Sequence, residues 1–153
     1  MPDDAASTGK TAAAIALGWV VPGLGHVVLG RLRQGLLFAA IIWGAFGLGL
    51  AYDGRLALRD HRQPLLTTLQ VIANLGVGPA DVAARLAVYG EPAYSMTRGA
   101  GAREDPHRAE IFRARERTGG ANYGTAYLWT AGLMNLLLLF DVWDIARGRR
   151  PLP

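Results

Sequence analysis

The chain has 153 residues, 51% of them hydrophobic and 18% charged, with a net charge of +4. That length bounds it to one ordinary domain, and the lack of cysteine excludes disulfides, thiolate catalysis and Cys-ligated metals. The charges are unevenly spread: windows 11–30, 34–52, 63–80 and 118–140 contain no Lys, Arg, Asp or Glu.

A soluble helix keeps a polar face toward water, and more than half of this chain has no charge with which to build one. A bilayer core is roughly 30 Å thick and takes about 20 apolar residues per helix. The windows match that size, so the pattern predicts an all-α integral membrane bundle of about four short transmembrane helices. The expected surroundings are the lipid bilayer and either a membrane-protein partner or a homo-oligomer. Basic loops at membrane edges follow from lipid headgroups and the positive-inside rule, so no nucleic acid is expected.

Residues 1–10 form a polar tail whose start is acidic rather than basic. The apolar run behind it therefore reads as a retained segment and not as a cleaved signal peptide. Residues 11–52 form a hairpin with a break at PGLGH, made of Pro22, Gly23, Gly25 and His26. Proline removes a backbone donor and disfavours helix at the preceding residue. Either the first helix kinks and continues to Leu29, or it ends near Val21 and an irregular stretch follows. Irregular backbone inside a bilayer survives only when covered by protein or facing water. Gly30, Arg31 and Gly35 then shape a basic turn into the second helix. Ala40, Gly44, Gly47 and Ala51 form a small-residue stripe along that helix, the usual means of close packing in lipid. Intramolecular packing is the expected use of the stripe, with a dimer seam as the alternative.

Residues 53–62 are a charged connector. Residues 63–89 hold a third apolar segment, read as a span or as re-entrant, with Gln70 and Asn74 on one side. A short interfacial helix follows it, with Val82, Leu86 and Tyr89 on its apolar face. Residues 90–122 are a polar loop. Within it GAGAR, residues 99–103, reads as linker, and Asp105-Pro106 pairs an N-cap with an N1 proline to start a short exposed helix. Residues 123–145 form the last span, and 146–153 a basic tail. With four spans, the Arg31–Arg33 turn lies on one side with the polar loop. Both tails and the connector then lie on the other, read as the outside.

PGLGHVVLGRLRQGL between two apolar helices resembles the hairpin of the two-transmembrane-helix domain superfamily. Val27 and Val28 stand where those relatives usually carry aromatic residues. Together with GTAYLWTAGLMNLLLLFDVWD near the C-terminus, the chain is similar to an uncharacterised bacterial family of small polytopic membrane proteins. The resemblance implies a multi-pass protein of the bacterial inner (cytoplasmic) membrane, of unknown function and without catalytic residues.

His26 is the sharpest polar candidate. A neutral imidazole at a broken helix either relays protons or binds a headgroup, or it caps freed carbonyls of the hairpin. Asn135, beside Gly132 on one face of the last span, is expected to bond Gln70 or Asn74 across helices. Asp141 and Asp144 are expected to be offset by Arg147 or by Arg31 and Arg33. The three histidines are too far apart for HxxxH or HExxH spacing. Neither Gly9-Lys10-Thr11 nor GLGHVV completes a nucleotide motif. No enzyme, cofactor or metal site is expected. A non-catalytic scaffold or accessory subunit is the leading reading. A small transporter or channel component comes next, and an intramembrane enzyme using His26 with Asp141 is remote.

Overall fold

A computed structural model describes residues 8–98 and 103–149. Their elements are all helices: α1 (Thr8–Val20), α2 (Leu24–Val28), α3 (Leu32–Ala51), α4 (Pro64–Leu75), α5 (Pro79–Tyr89), α6 (Pro106–Glu116) and α7 (Ala121–Ala146). Extended backbone appears among the described residues only as two isolated bridges, Arg59 with Ser95 and Thr97 with Glu104. Most of the polar N-terminal tail, nearly all of the GAGAR linker and the end of the basic C-terminal tail lie outside the described residues.

Helix α7 is the axis, and its 26 residues extend about 39 Å at 1.5 Å per residue. Its small and apolar positions order the neighbours along it. Gly124 lies against Gly49 and Gly54, Gly132 against Ala73 and Gly76, Leu139 against Gly18, and Val142 against Gly25. At the Gly124 end, α3 finishes; at the Asp141 end, α3 begins, with Phe38 edge-on to His26. The two helices are therefore antiparallel. Each is long and apolar enough to cross a membrane.

The other two expected spans are broken. Helix α1 has 13 residues, about 20 Å, too short to cross a bilayer core alone. It stops at Val21-Pro22, and Gly23 takes a left-handed conformation (φ +89°) that glycine tolerates without a Cβ penalty. The chain then folds back, so that Gly25 lies against the backbone of Ala14. Gly30, also left-handed (φ +85°), ends α2 and launches α3. Both sequence alternatives hold in part: α1 ends at the proline, and a separate short helix covers the residues up to Val28.

The third segment bends by 111° between α4 and α5. Both of its outer ends are tied to one end of the bundle. Thr67 near the start of α4 accepts from the Asp60 amide at 3.0 Å, and Tyr89 at the close of α5 donates to the Leu56 carbonyl at 3.0 Å. The pair dips to the level of Gly132 and returns, a bend compatible with either a broken span or a re-entrant loop.

The ends of the bundle group the segments differently from a four-span order. Lys10, Arg31 and the α7 C-terminus gather at one end, where α1 starts and α3 begins. The 53–62 connector gathers with the polar loop at the other. The connector is not a solvated strap, since Leu56, Ala57 and Leu58 are all buried. Arg59 donates its amide to the Tyr94 carbonyl at 2.9 Å and accepts from Met96 at 3.1 Å. Leu56 and Leu58 join Ile42, Phe46, Val77, Tyr89 and Leu128 in one core.

The expected helix-packing stripe is corrected too. Ala40, Gly44, Gly47 and Ala51 all face outward, and nothing lies within 4 Å of where a side chain on Gly44 or Gly47 would begin. The buried face is Gly35, Ile42, Phe46 and Gly49. A 4-3-4 spacing defines a face, but two such faces ran along this helix, and the bulkier one carries the contact.

The α5 face is likewise different from the amphipathic reading. Asp81, Ala84, Arg85 and Tyr89 point inward and Leu86 is exposed. In α6 the N-cap matches the sequence reading: Asp105 accepts from the amides of His107 and Arg108. The helix is not simply solvated, because Arg108 is buried.

Candidate functional site

Three buried polar clusters lie along the bundle. The central one is where the two breaks meet. Asn135 on α7 is fully buried, and its amide nitrogen donates to the Gly76 carbonyl at 2.8 Å and the Gly18 carbonyl at 3.3 Å. Trp19 donates its indole N–H to the Leu75 carbonyl at 3.2 Å, and Gly78 lies against the Trp19 carbonyl. Helix ends leave carbonyls without intrahelical donors, and inside an apolar bundle each one costs free energy unless paired. Asn135 supplies the missing donor for both breaks, and Trp19 adds a second donor to the Leu75 carbonyl, which already accepts from the Gly78 amide. The expected partners Gln70 and Asn74 are not used; Asn74 instead accepts from the Ala57 amide at 3.4 Å. Small neighbours make the approach possible, with Ala131 and Gly132 buried beside Asn135.

The second cluster sits at the end where α3 begins. His26 Nε2 and Asp141 Oδ2 are 3.0 Å apart, with side-chain exposures of 1% and 20%. The imidazole therefore looks inward while the carboxylate reaches the edge. Phe38 covers the ring at 5.1 Å. Capping of the hairpin is left to backbone, with the Arg31 amide on the His26 carbonyl at 2.8 Å. Asp141 and Asp144 lie within α7, not beyond it. Asp144 pairs with Arg149 at 3.4 Å, and Arg147 and Arg149 flank the Trp143 ring.

The third cluster was missed from sequence. Arg85 and Asp81 pair at 2.8 Å, both fully buried. Arg85 also donates to the carbonyls of Ala57 at 2.9 Å and Ala93 at 2.6 Å, and its guanidinium lies over Tyr94. A buried charge is tolerable only when paired and hydrogen-bonded, and this one ties the connector to the polar loop. The legible signal was Asp81 and Arg85 at i, i+4 on the face of Ala84.

Above it, the polar segment is fastened by further charge. Arg108 reaches Glu91 at 2.8 Å and the Ser95 carbonyl at 2.8 Å, while Arg98 pairs with Asp105. The Arg108 hydrogen bond holds the Glu91 carboxyl below the ordinary carboxylate range, and the Arg98 hydrogen bond does the same for Asp105. Arg115 donates to the Gly54 carbonyl at 3.1 Å, and Arg55 to Glu116 at 2.8 Å. Residues 53–62, 90–98 and 103–118 are thus fastened together as one cap on the helices.

Of the hairpin residues, Pro22, Gly23, Gly25, His26 and Gly35 are buried together around the first break, and Gly30 and Arg31 form its exit. Gly132 and Asn135 serve the central crossing; the stripe of Ala40, Gly44, Gly47 and Ala51 is exposed among the described residues. Among the described residues no three His, Asp or Glu side chains are grouped to hold a metal. No curated protein and no solved structure matches the chain. A family pattern does, over residues 13–151, and the chain belongs to that family of unknown function, DUF6677.

Proposed function

We propose that the protein is a non-catalytic membrane scaffold or accessory subunit that presents its cap to a membrane-protein partner. Its place on this reading is the bacterial inner membrane, with α3 and α7 spanning and the two broken pairs entering from opposite sides. The observation that supports it is the fastening of the cap. Arg85, Arg108 and Arg115 each bond backbone carbonyls of a different segment, so a polar surface is held in one shape beside the bilayer. Pre-organised surfaces bind with less ordering cost than loose loops. The test is affinity purification from native membranes in mild detergent, with mass spectrometry of what co-elutes. A stoichiometric foreign membrane protein is expected, and it is lost when the exposed cap charges are reversed by Glu110→Arg with Arg117→Glu. A chain that purifies alone or as a pure homo-oligomer overturns the reading.

A small transporter or channel component is the second reading, favoured by the meeting of two helix breaks on Asn135. Paired interrupted helices at mid-bundle are a recurring design of transport sites. Liposome flux assays on the purified chain test it, and flux abolished by Asn135→Leu would support it.

A further inference from the structure

We propose that His26 and Asp141 form a proton-binding site that sets how firmly the α1–α2 hairpin is held on α7. The inference is independent of the scaffold reading. Four observations carry it. The imidazole is almost fully enclosed while its partner carboxylate is one-fifth exposed, so Asp141 is the contact with the aqueous edge. The two are within hydrogen-bond distance. Helix α2 has only five residues and is bounded by two left-handed glycines, Gly23 and Gly30, and it meets α7 through little more than Val142 on Gly25 and Asp141 on His26. Ionisable groups within apolar helix bundles are costly enough to be read as functional by default.

The groups around the pair come from every neighbouring element. Helix α7 supplies Asp141 in contact, and Asp144 and Arg147 nearer its end. Helix α3 supplies the uncharged Phe38. Helix α1 packs its Ala14 backbone against Gly25 and carries Lys10 in its first turns, and the turn after α2 carries Arg31. With the Asp141 carboxylate accepting, His26 Nε2 is the donor and Nδ1 is left to take a second proton. One proton from water added there changes the pair from a net charge of −1 to zero. With the imidazole neutral, the carboxylate is held by an uncharged donor; with it protonated, the same hydrogen bond joins opposite charges and gains their Coulomb attraction. Imidazole is the side chain whose charge ordinarily changes between about pH 5 and 8.

The experiment uses the full chain in nanodiscs with 15N-labelled histidine, and His61→Gln and His107→Gln to leave His26 as the sole histidine. Ring nitrogen resonances are followed from acid to alkaline pH, and hydrogen exchange of residues 21–31, corrected for intrinsic rates, is followed alongside. The expected result is a change of the ring resonances on acidification, with a several-fold gain in protection of residues 21–31 over the same pH interval. Asp141→Asn is expected to displace the midpoint and remove the change in protection. A ring that does not titrate overturns the proposal without recourse to any Asp141 variant. So does protection that ignores the titration, or an Asp141→Asn profile identical to that of the parent.

Discussion

Asn135 donates its amide to the Gly76 carbonyl at 2.8 Å, where α4 ends, and the same nitrogen reaches Gly18, near the end of α1. One side chain on the axial helix therefore closes two helix ends that arrive from opposite ends of the bundle. A third observation agrees with this role: the Trp19 indole crosses between the same two breaks to Leu75.

Replacing Asn135 by Ala leaves both carbonyls buried without that donor. Interhelical hydrogen bonds in bilayers average below about 1 kcal/mol, but orphaned buried acceptors cost about 1–3 kcal/mol each. Asn135→Ala should therefore lower stability by about 2 kcal/mol, measured by denaturant titration in mixed micelles. A change inside the error of that titration would mean that the breaks are held by packing alone.

Glycines on the two long helices should respond in opposite ways. A side chain on Gly132 would collide with the Ala73 carbonyl oxygen, which is backbone and cannot swing aside. Overpacking of this kind costs about 1–3 kcal/mol or more, so Gly132→Ala should destabilise strongly in the same titration. Gly44→Ala meets nothing within 4 Å, and glycine within a helix is about 1 kcal/mol worse than alanine, so that variant should be neutral or stabilising. Equal losses at both positions would show that Gly44 has a partner outside the chain.

The cap should loosen in acid. Glu91 and Asp105 are both held below the ordinary carboxylate range by arginine hydrogen bonds. A carboxyl depressed in the folded state adds stability that is fully present above its unfolded value and is lost as pH falls through the folded one. Hydrogen exchange of residues 90–98 and 103–118 should thus show steady protection from neutral pH down to the ordinary carboxylate range and a loss below it. Asp105→Asn keeps an N-cap acceptor but not the charge, and should flatten that acid loss. A wild-type profile with no acid loss removes the charge network as the fastener of the cap.

Local chemistry made parts of this fold readable. Pro22-Gly23 forbids a straight helix by sterics and a missing donor, and the chain does break there. Asp105-Pro106 specifies a helix start from groups within three residues, and α6 begins there. What sequence could not supply was which of two faces meets a neighbour. Gly44 and Gly35 are equally small; only the fold-back of α2 puts Val27 against one of them. The partners of Asn135 were invisible for a related reason. Backbone carbonyls are left open to a side-chain donor where a helix ends, whereas polar side chains alone point to Gln70 and Asn74. His26 and Asp141 are put together in the sequence only by their chemistry, as two ionisable groups in apolar windows; 115 positions separate them, and the contact itself follows from the fold-back of α2. Arg85 is legible only as the i, i+4 partner of Asp81; its burial is not, since the carbonyls of Ala57 and Ala93 that enclose it come from other segments.

The arrangement of sides gives the most direct test, because the chain has no cysteine of its own. Single cysteines at Thr8, Arg33, Gln63 and Thr118 all replace exposed residues. Four full spans would put Thr8 opposite Arg33 and Gln63 opposite Thr118, since one crossing separates the members of each pair. Two full spans with broken pairs between them put Thr8 with Arg33 and Gln63 with Thr118. The latter is expected, because Gly25 returns to Ala14 and both outer ends of the α4–α5 pair bond the connector. Labelling with a membrane-impermeant maleimide, before and after permeabilising sealed vesicles, should therefore divide the four positions into Thr8 and Arg33 on one side and Gln63 and Thr118 on the other. A split of Thr8 from Arg33 would mean that residues 11–30 cross the bilayer and that the fold-back at Gly23 opens in the membrane. A split of Gln63 from Thr118 would say the same of the 111° bend. In either case Asn135 would lose one of the two helix ends it closes, so the outcome also decides whether that side chain can be the clasp of the bundle.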